Sequence, residues 1–205
     1  MRQSGSKLAV LILAAGASRR LGRPKQLLLY EGKTLLEHAA THALALSGDV
    51  FVVLGHSHDA CTAALNGLPV TLLHHSGFEE GMGSSIAFGI GHLHVFEHVL
   101  IMLSDQPLIP RGHYLALKEA IVQTPGLSIA SFYHGTPGVP AVFPRASFAS
   151  LEGLRGDRGA KPLLSSTTHH VPLESRYAMD IDTEKELALL REQETAADRG
   201  HTQGC

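Results

Sequence analysis

The sequence lacks the features that mark disulfide-bonded, membrane-spanning and nucleic-acid-binding proteins. Its two cysteines, Cys61 and Cys205, are too few for a disulfide framework, so we expect reduced thiols and a cytoplasmic protein. No apolar run approaches the roughly 20 residues needed to cross a bilayer, and residues 1–7 are polar, without a signal-peptide pattern. The formal net charge of −2 argues against a nucleic-acid or anionic-membrane partner.

What is present is the composition of a globular protein, with 44% hydrophobic and 18% charged residues in a chain of 205. Apolar runs and helical patterns alternate from Leu8 to Leu73 in the order strand, helix, strand, helix, strand. This order predicts parallel strands joined by right-handed crossovers. The first helix has a capping box, Thr34 with Glu37, and is expected to run to about Leu46.

A later part of the chain predicts a different strand pairing. The connector between the predicted strands Leu127–Phe132 and Val139–Phe143 is too short for a crossover, so this pair is expected to be antiparallel. The length of the chain suits one domain with a substantial core. We expect that domain to span residues 8–193, between a flexible N-terminus at residues 1–7 and a polar, disordered tail at residues 194–205.

The segment after the first strand has the composition of an anion-binding loop. The apolar run Leu8 to Ala15 is typical of a strand buried on both faces, and Gly16 then begins a loop whose backbone N–H groups can approach an anion. The spacing of Gly16 and Gly22 fits neither a Walker loop nor a GxGxxG pattern, and an ordinary basic surface loop is the alternative. Four cations in the loop can neutralise phosphate oxygens, namely Arg19, Arg20, Arg23 and Lys25.

A second glycine-rich loop, Gly77 to Ser85, precedes a helix predicted from Ser84 to Leu93. Ser84 and Ser85 are candidate caps of this helix, whose N-terminus could face a polar ligand. A plain connecting loop with a capped helix fits the same pattern. Further on, Asp157 is a candidate cap of a short helix ending near Ser165, or else a substrate contact.

Acidic residues mark two more segments. Asp105 lies just beyond the apolar run His98 to Leu103, where a carboxylate is well placed for a hard cation with phosphate ligands, although a helix-capping role fits the same position. Met179 to Thr183 alternates apolar and acidic residues and is predicted as a strand with one polar face. Thr183 and Glu186 then predict a capped helix to about Glu192.

The first loop, read together with the strand before it, resembles the signature of the MobA-like NTP transferases. Its Ala14-Ala15 pair is most similar to the molybdenum cofactor cytidylyltransferase branch, because the guanylyltransferase branch usually has Ala-Gly-Gly or Gly-Gly there. The resemblance extends to about Leu190. The matching motifs are Leu13-Ala14-Ala15-Gly16-x-Ser18-x-Arg20-x-Gly22-x-Pro24-Lys25, Gly81-Met82-x-x-Ser85, Asp105-Gln106-Pro107, Gly138-x-Pro140-x-x-Phe143, Gly156-Asp157-x-Gly159-Ala160-Lys161 and Asp180-Ile181-Asp182-Thr183.

The resemblance implies a fold and a set of site residues. The fold is α/β, a three-layer α/β/α Rossmann-like nucleotide-diphospho-sugar transferase fold, with a mostly parallel central sheet and an antiparallel portion. Lys25, Arg19 and Asp105 are implied as catalytic residues, and Asp105 and Asp182 as Mg²⁺ ligands. Acceptor contacts are implied for Gln106, Pro107, Gly138, Pro140 and Asp180. Nucleotide contacts are implied for Leu13, Ala14, Ala15, Gly16, Ser18, Arg19, Lys25, Gly81, Gly83, Ser84, Ser85 and Asp105.

The reaction that the resemblance implies is the Mg²⁺-dependent transfer of CMP from CTP to the terminal phosphate of molybdopterin, with release of pyrophosphate. A recipient molybdenum enzyme is a further implied partner. GTP on the same acceptor is the first alternative. The second is a sugar-1-phosphate nucleotidylyltransferase, although the Gly-x-Gly-Thr-Arg loop usual for those enzymes is missing after Ala15.

Other function classes fit the residues less well. A cofactor-binding chaperone for a molybdenum hydroxylase would not need Lys25, Asp105 and Asp182 together. A nicotinamide-dependent oxidoreductase is disfavoured because both glycine loops miss its fingerprint. The 14 histidines include i, i+4 pairs such as His38 and His42, but without HExxH or a cysteine cluster, surface or core histidines are favoured over a zinc site.

Overall fold

The computed structural model describes residues 7–164 and 168–201 of the chain. Strands and helices alternate through most of it, as the sequence predicts. The strands are β1 (Leu8–Ala14), β2 (Leu29–Tyr30), β3 (Lys33–Thr34), β4 (Val50–Leu54), β5 (Thr71–His74), β6 (His98–Leu103), β7 (Ile129–Tyr133), β8 (Thr136–Pro144) and β9 (His169–Pro172). The helices are α1 (Leu35–Leu44), α2 (His58–Ala64), α3 (Met82–Ile90), α4 (Arg111–Gln123), α5 (Phe148–Glu152) and α6 (Glu184–His201).

Seven strands form one mixed sheet in the order β5-β4-β1-β6-β8-β7-β9. Strand β1 pairs in parallel with β4 and β6, and β5 pairs in parallel with β4. Strand β8 runs antiparallel to both β6 and β7, and β9 is parallel to β7. His134 and Gly135 both have positive φ and close the β7–β8 hairpin, because such turns match the twist of the paired strands. The predicted parallel sheet with an antiparallel portion is confirmed.

Helices cover both faces of this sheet and give three layers. Side chains of β1 alternate between the faces, as the period of a strand requires. Val10 and Ile12 share a core with residues of α1 and α4, whereas Leu11 and Leu13 share one with residues of α3 and α5. All of β1 is therefore buried, which explains why its sequence is continuously apolar.

Helix α1 begins as predicted. The Thr34 hydroxyl accepts a hydrogen bond from the Glu37 backbone N–H at 3.1 Å, and the Glu37 carboxylate accepts one from the Thr34 N–H at 2.7 Å. Two backbone donors of the first turn are satisfied in this way, so the capping box is confirmed.

Helix α3 begins two residues earlier than its predicted start at Ser84. Gly81 precedes Met82 as the N-cap residue with a φ of +106°, a conformation that glycine adopts far more readily than other residues. Ser84 and Ser85 lie inside the helix and do not cap it. The Ser84 hydroxyl instead donates to the Gly81 carbonyl at 2.8 Å. The prediction was wrong because the turn is set by backbone conformation rather than by a hydroxyl group.

The predicted strand at Met179 to Thr183 is also wrong. These residues form an irregular loop that is joined to the segment after β6 by a hydrogen bond from the Ile181 N–H to the Asp105 carbonyl, at 3.0 Å. Ile181 is fully buried in a small core with Leu21 and Leu187. The alternation in the sequence thus reflects one anchoring side chain between two carboxylates, and not a paired strand.

The ends of the chain differ in part from expectation. Helix α6 runs to His201 rather than to about Glu192, because residues 194–201 contain glutamate, alanine and arginine, which favour helix. Residues 1–6 and 202–205, in the predicted flexible segments, lie outside the described residues, as does the predicted helix end at Ser165. In that helix's place the structure has a 3-10 turn at Lys161–Leu163.

Two further expectations can be compared with the described residues. Among them, no helix has the length and apolar character to cross a membrane. Cys61 is unpaired and buried in α2, and burial raises the pKa of its thiol to about 11. Cys205 lies outside the described residues.

A buried chain of hydrogen bonds attaches α4 to the sheet. The His113 Nε2 atom lies 2.7 Å from the Ser131 hydroxyl, and that hydroxyl donates to the Pro140 carbonyl at 2.7 Å. Because the single hydroxyl proton goes to Pro140, the Nε2 atom of His113 must carry a proton and donate it to the Ser131 hydroxyl oxygen. Burial lowers the pKa of His113 below its ordinary value of 6.5.

This arrangement predicts how His113 contributes to stability as the pH changes. Because the folded-state pKa is lowered, the contribution is complete above the unfolded-state pKa and is lost as the pH falls through about 6.5. Replacing His113 by Phe should therefore lower the free energy of unfolding by about 1–3 kcal/mol at pH 7.5, and this difference should shrink at pH 5.5. Urea unfolding at both pH values measures it. The exposed His92 supplies a control, His92→Phe, for which the change should be smaller. A difference between wild type and His113→Phe that does not depend on pH would contradict the assignment.

Candidate active site

A cavity of about 330 Å³ opens at the carboxyl ends of β1 and β6. Its wall combines the end of β1, the loop that follows, the start of α3 and the residues after β6. Ligands of open α/β sheets commonly bind at this end of the strands. Of the residues that sequence analysis named for nucleotide binding, those that line the cavity are Leu13, Ala14, Ala15, Gly16, Arg19, Lys25, Gly81, Ser85 and Asp105.

The loop between β1 and β2 is held by two side chains. Ser18, with a φ of +51°, accepts a hydrogen bond on its hydroxyl from the Lys25 backbone N–H at 3.0 Å. Gln26 is buried, and its amide donates to the carbonyls of Ala14 at 3.0 Å and Gly16 at 2.7 Å. Both side chains therefore hold the loop in shape, but only Gln26 also lines the cavity.

Sequence analysis missed Gln26. Gln26 is a polar residue directly after the Pro24-Lys25 pair, and nothing in the surrounding sequence distinguishes it from a solvent-exposed loop residue. Its importance comes from burial beneath the loop, where its amide donates to two backbone carbonyls, one at the end of β1 and one in the loop.

Lys25 and Asp105 lie at the floor of the cavity, and Asp182, which is not a lining residue, joins them through its contact with Lys25. Lys25 Nζ is paired with Asp105 Oδ2 and lies 2.6 Å from Asp182 Oδ1. The Lys25 and Asp105 side chains are only 17% and 9% exposed, so this is a largely desolvated pair, while Asp182 is 40% exposed. Burial opposes the charged form of Lys25, but the two carboxylates outweigh it and raise the pKa of the ammonium group above its usual value.

The two carboxylates have the chemistry of a divalent-cation site. Asp105 Oδ1 is buried and, among the described residues, has no hydrogen-bond partner. Mg²⁺ is commonly held by one or two carboxylates together with substrate phosphates and water, and Asp105 with Asp182 fits that pattern. Residues 7–164 and 168–201 contain no group of three or more His, Cys, Asp or Glu side chains placed to hold a metal ion. A cation here would therefore need ligands from the substrate.

A second polar group lies beside this floor. The Gln106 amide donates to Asp180 Oδ1 at 2.8 Å, and its Oε1 atom is buried without a partner among the described residues. Partial burial, and then the nearby Asp105 carboxylate, raise the pKa of Asp180 to about 6. The structure thus brings Gln106 and Asp180, two of the expected acceptor residues, next to the predicted metal ligands.

The other expected acceptor residues have visible structural roles. A side chain at Gly138 would overlap the Tyr133 hydroxyl, which donates to the Val139 carbonyl at 2.9 Å. Pro140 is buried in β8, and its carbonyl accepts the hydrogen bond from the Ser131 hydroxyl. Pro107 is half-buried directly after Gln106.

The second glycine-rich loop is packed against residues 155–158. A side chain at Gly81 would overlap the Gly156 carbonyl, and one at Gly83 would lie within 2.9 Å of the backbone of Arg155 and Arg158. The Gly83 N–H also donates to the Gly156 carbonyl at 2.8 Å. Glycine is needed at both positions because two backbone segments approach closely.

Ser84 and Gly83 therefore lie away from the cavity wall, unlike Gly81 and Ser85. The Ser84 hydroxyl contacts His75 Nε2 at 3.2 Å on the side of a separate surface depression. Asp157 lines the cavity, while the following 3-10 turn has Ala160 at its N-cap position. The remaining lining residues are Ala17, Phe78, Glu79, Met82, Leu103 and Ser104, and of these only Met82 is a named position of a motif, Gly81-Met82-x-x-Ser85.

The chain was compared with known proteins. Residues 10–171 match the family described as the MobA-like NTP transferase domain. Purine catabolism protein PucB of Bacillus subtilis is 28% identical over 197 residues, which cover 88% of this chain and 94% of PucB. Nicotine blue oxidoreductase of Paenarthrobacter nicotinovorans is 42% identical over 99 residues. That match covers 47% of this chain and 48% of the relative, so it spans about half of each protein.

Solved structures share the fold of this chain. Rv0371c from Mycobacterium tuberculosis superposes with a TM-score of 0.78 and 27% identity, over 93% of this chain and 100% of that one. The complex of Rv0371c with manganese gives a TM-score of 0.72 and 24% identity, over 92% of this chain and 100% of that one. Since the family match covers most of the sheet and the cavity at its carboxyl edge, the chain belongs to the MobA-like NTP transferase domain family.

Proposed function

We propose that the protein transfers a nucleotidyl group from a nucleoside triphosphate to a phosphate acceptor and releases pyrophosphate. The observation that carries this proposal is the cluster of Lys25, Asp105 and Asp182, of which Lys25 and Asp105 line a cavity with a glycine-containing, basic rim. Such a site can neutralise the charge of a triphosphate and of a bound divalent cation at once. Membership of the NTP transferase family supports the same reaction class.

In the proposed reaction, an oxygen of the acceptor phosphate forms a bond to the α-phosphorus. The bond from that phosphorus to the oxygen bridging the α- and β-phosphates breaks, and pyrophosphate leaves with the electron pair. A phosphate monoester is already anionic, so no side chain has to remove a proton from it. The protein contributes by holding the two reactants in line and by balancing charge.

The chain's own residues divide this work. The backbone at Gly16 and the Arg19 side chain line the cavity and would hold the triphosphate. Lys25 would balance charge on the α-phosphate and on the departing pyrophosphate. Ser18 and Gln26 keep the loop in shape through their hydrogen bonds.

Asp105 and Asp182 would hold Mg²⁺, because they present carboxylate oxygens beside the cavity and Asp105 Oδ1 is otherwise unpartnered. A bound divalent cation would supply charge neutralisation at the phosphate oxygens. The structure of Rv0371c with manganese supports the use of a divalent cation within this fold.

For the substrates, we propose CTP as the first choice and the terminal phosphate of molybdopterin as the acceptor. Ala14-Ala15, which lines the cavity, supports CTP through its similarity to the cytidylyltransferase branch. GTP is the second choice. Gln106 and Asp180, with Pro107, Gly138 and Pro140, would form the acceptor side, and a molybdenum enzyme would receive the product.

A second candidate function comes from one relative. The match to nicotine blue oxidoreductase, at 42% identity over 99 residues, favours a test for reduction of an organic substrate. The floor of the cavity favours nucleotidyl transfer instead, since a lysine between two carboxylates suits phosphate and cation chemistry better than hydride transfer.

The deciding experiment measures pyrophosphate release with Mg²⁺ and molybdenum cofactor, offering CTP, GTP, ATP and UTP in parallel. Release with CTP alone would support the cytidylyltransferase proposal, and release with GTP would keep the mechanism and change the base. If folded protein releases no pyrophosphate with any of the four nucleotides, the proposal is contradicted. Sugar 1-phosphates as acceptors, oxidation of NADH or NADPH, and cofactor binding without turnover would then test the alternatives.

Replacing Asp105 by Asn should abolish most turnover. The change keeps the shape of the side chain but removes a charge that we assign to cation binding, so kcat should fall by about 100-fold or more. Pyrophosphate release measures it, and circular dichroism checks the fold. The matched control is Asp49→Asn, an exposed aspartate before β4, which should keep wild-type activity. A normal rate in Asp105→Asn would contradict its assigned role.

Replacing Gln26 by Leu should act on nucleotide binding through the loop. The variant loses both hydrogen bonds to the carbonyls of Ala14 and Gly16, so the loop is held less well and KM for the nucleotide should rise roughly tenfold. Stability should drop by about 1–3 kcal/mol. Steady-state kinetics separates KM from kcat, and Gln123→Leu, at the exposed end of α4, is the control. An unchanged KM would show that Gln26 matters for folding alone.

A further inference from the structure

We propose that this site takes a divalent cation only together with a nucleoside triphosphate, because Lys25 occupies the place between Asp105 and Asp182 until a triphosphate draws it away. The inference deepens the proposed function and rests on its assignment of the two carboxylates as cation ligands. The inference concerns the order in which the triphosphate and the divalent cation bind. In it, Lys25 competes with the free cation for the carboxylates and also binds phosphate.

The contacts of the Lys25 side chain carry the first step. Its ammonium group touches one oxygen of each carboxylate, pairing with Asp105 Oδ2 and lying 2.6 Å from Asp182 Oδ1. Arg20 adds a second positive group 3.7 Å from Asp182 Oδ2. A free divalent cation that bound between these carboxylates would meet an ammonium group in the same place, and like charges at such short distance repel strongly where water is largely excluded.

The second step is that the two carboxylate oxygens of Asp105 have different environments. Oδ2 is taken by Lys25, whereas Oδ1 is buried without a partner among the described residues. One ligand atom is therefore ready for a cation. Asp182 has its Oδ1 atom in contact with the ammonium group and its Oδ2 atom 3.7 Å from Arg20, so Oδ1 becomes free only when the ammonium group leaves. The site is complete for a cation after that movement and incomplete before it.

The third step is that the movement needs only a side-chain rotation. The backbone of Lys25 is fixed, because its N–H donates to Ser18 Oγ at 3.0 Å and its carbonyl accepts from the Leu28 N–H at 3.1 Å. The four-carbon stem of lysine is flexible and its ammonium group has three donors. A triphosphate in the cavity, which Lys25 also lines, would offer anionic oxygens as new partners for those donors.

A thermodynamic consequence follows. If the triphosphate removes the competitor of the cation, the triphosphate must strengthen cation binding and the cation must strengthen triphosphate binding by the same factor. Removing the ammonium group should abolish part of this coupling and should strengthen binding of the cation alone. A lysine that only held phosphate would have no such effect on the cation.

The test measures Mn²⁺ binding to the full chain without nucleotide, following the signal of free Mn²⁺ by electron paramagnetic resonance. Lys25→Met should bind Mn²⁺ about tenfold more tightly than wild type, or better, while Lys25→Arg, which keeps the charge, should stay weak. The matched control is Lys33→Met. It removes an exposed positive charge on β3, at a residue that does not line the cavity, so Mn²⁺ affinity should be unchanged. Equal affinity in wild type and Lys25→Met would overturn the proposal.

A measurement on the wild type alone covers the case in which Lys25→Met does not fold. The melting temperature should hardly change with Mn²⁺ alone, and should rise clearly with Mn²⁺ and a non-reacting α,β-methylene analogue of CTP or GTP together. Stabilisation by Mn²⁺ alone that equals stabilisation by the pair would overturn the inference. Pyrophosphate release by the wild type is scored separately, so a failed inference with an active enzyme is distinguishable from a failed function.

Discussion

The candidate site depends on one electrostatic interaction, in which the charge balance is between a largely desolvated lysine and the two carboxylates that it contacts. Lys25 follows β1, Asp105 follows β6 and Asp182 precedes α6, so the balance joins segments as far as 157 positions apart in the sequence. Removing one partner of such a group leaves a charge that water solvates poorly. The loop before α6 is therefore held to the sheet by electrostatics at Asp182 and by the buried side chain of Ile181 a single residue earlier.

The architecture could be predicted from the sequence wherever a local pattern and the global packing agree. The continuous apolar run of β1 and the capping box at Thr34 both specify their structures through short-range chemistry, and both were predicted correctly. The start of α3 was not, because it depends on a positive φ at Gly81 and on contact with Gly156. The segment at Ile181 alternates like a strand, and only the fold, in which Ile181 contacts Asp105 after β6, shows that it is a loop.

The site could be predicted to a similar extent. Glycine, lysine and aspartate at the carboxyl ends of strands are visible in a sequence, so Gly16, Lys25 and Asp105 were named and do line one cavity. The direction of a side chain on a helix is not visible, which is why Ser84 and Ser85 looked equivalent although they face different surfaces. Gln26 was missed since its contribution comes from burial under a turn, a property of the fold alone.

The cavity wall has two halves that come from different parts of the chain, and in one of them Gly81 and Gly83 pack against residues 155–158. One half contains Lys25 and Asp105, which follow the central strands β1 and β6. The other half is assembled from two surface segments, one ending in α3 and one containing Asp157, that touch through backbone. Sequence drift in residues 155–158 can thus reshape the far wall while the charged floor stays intact.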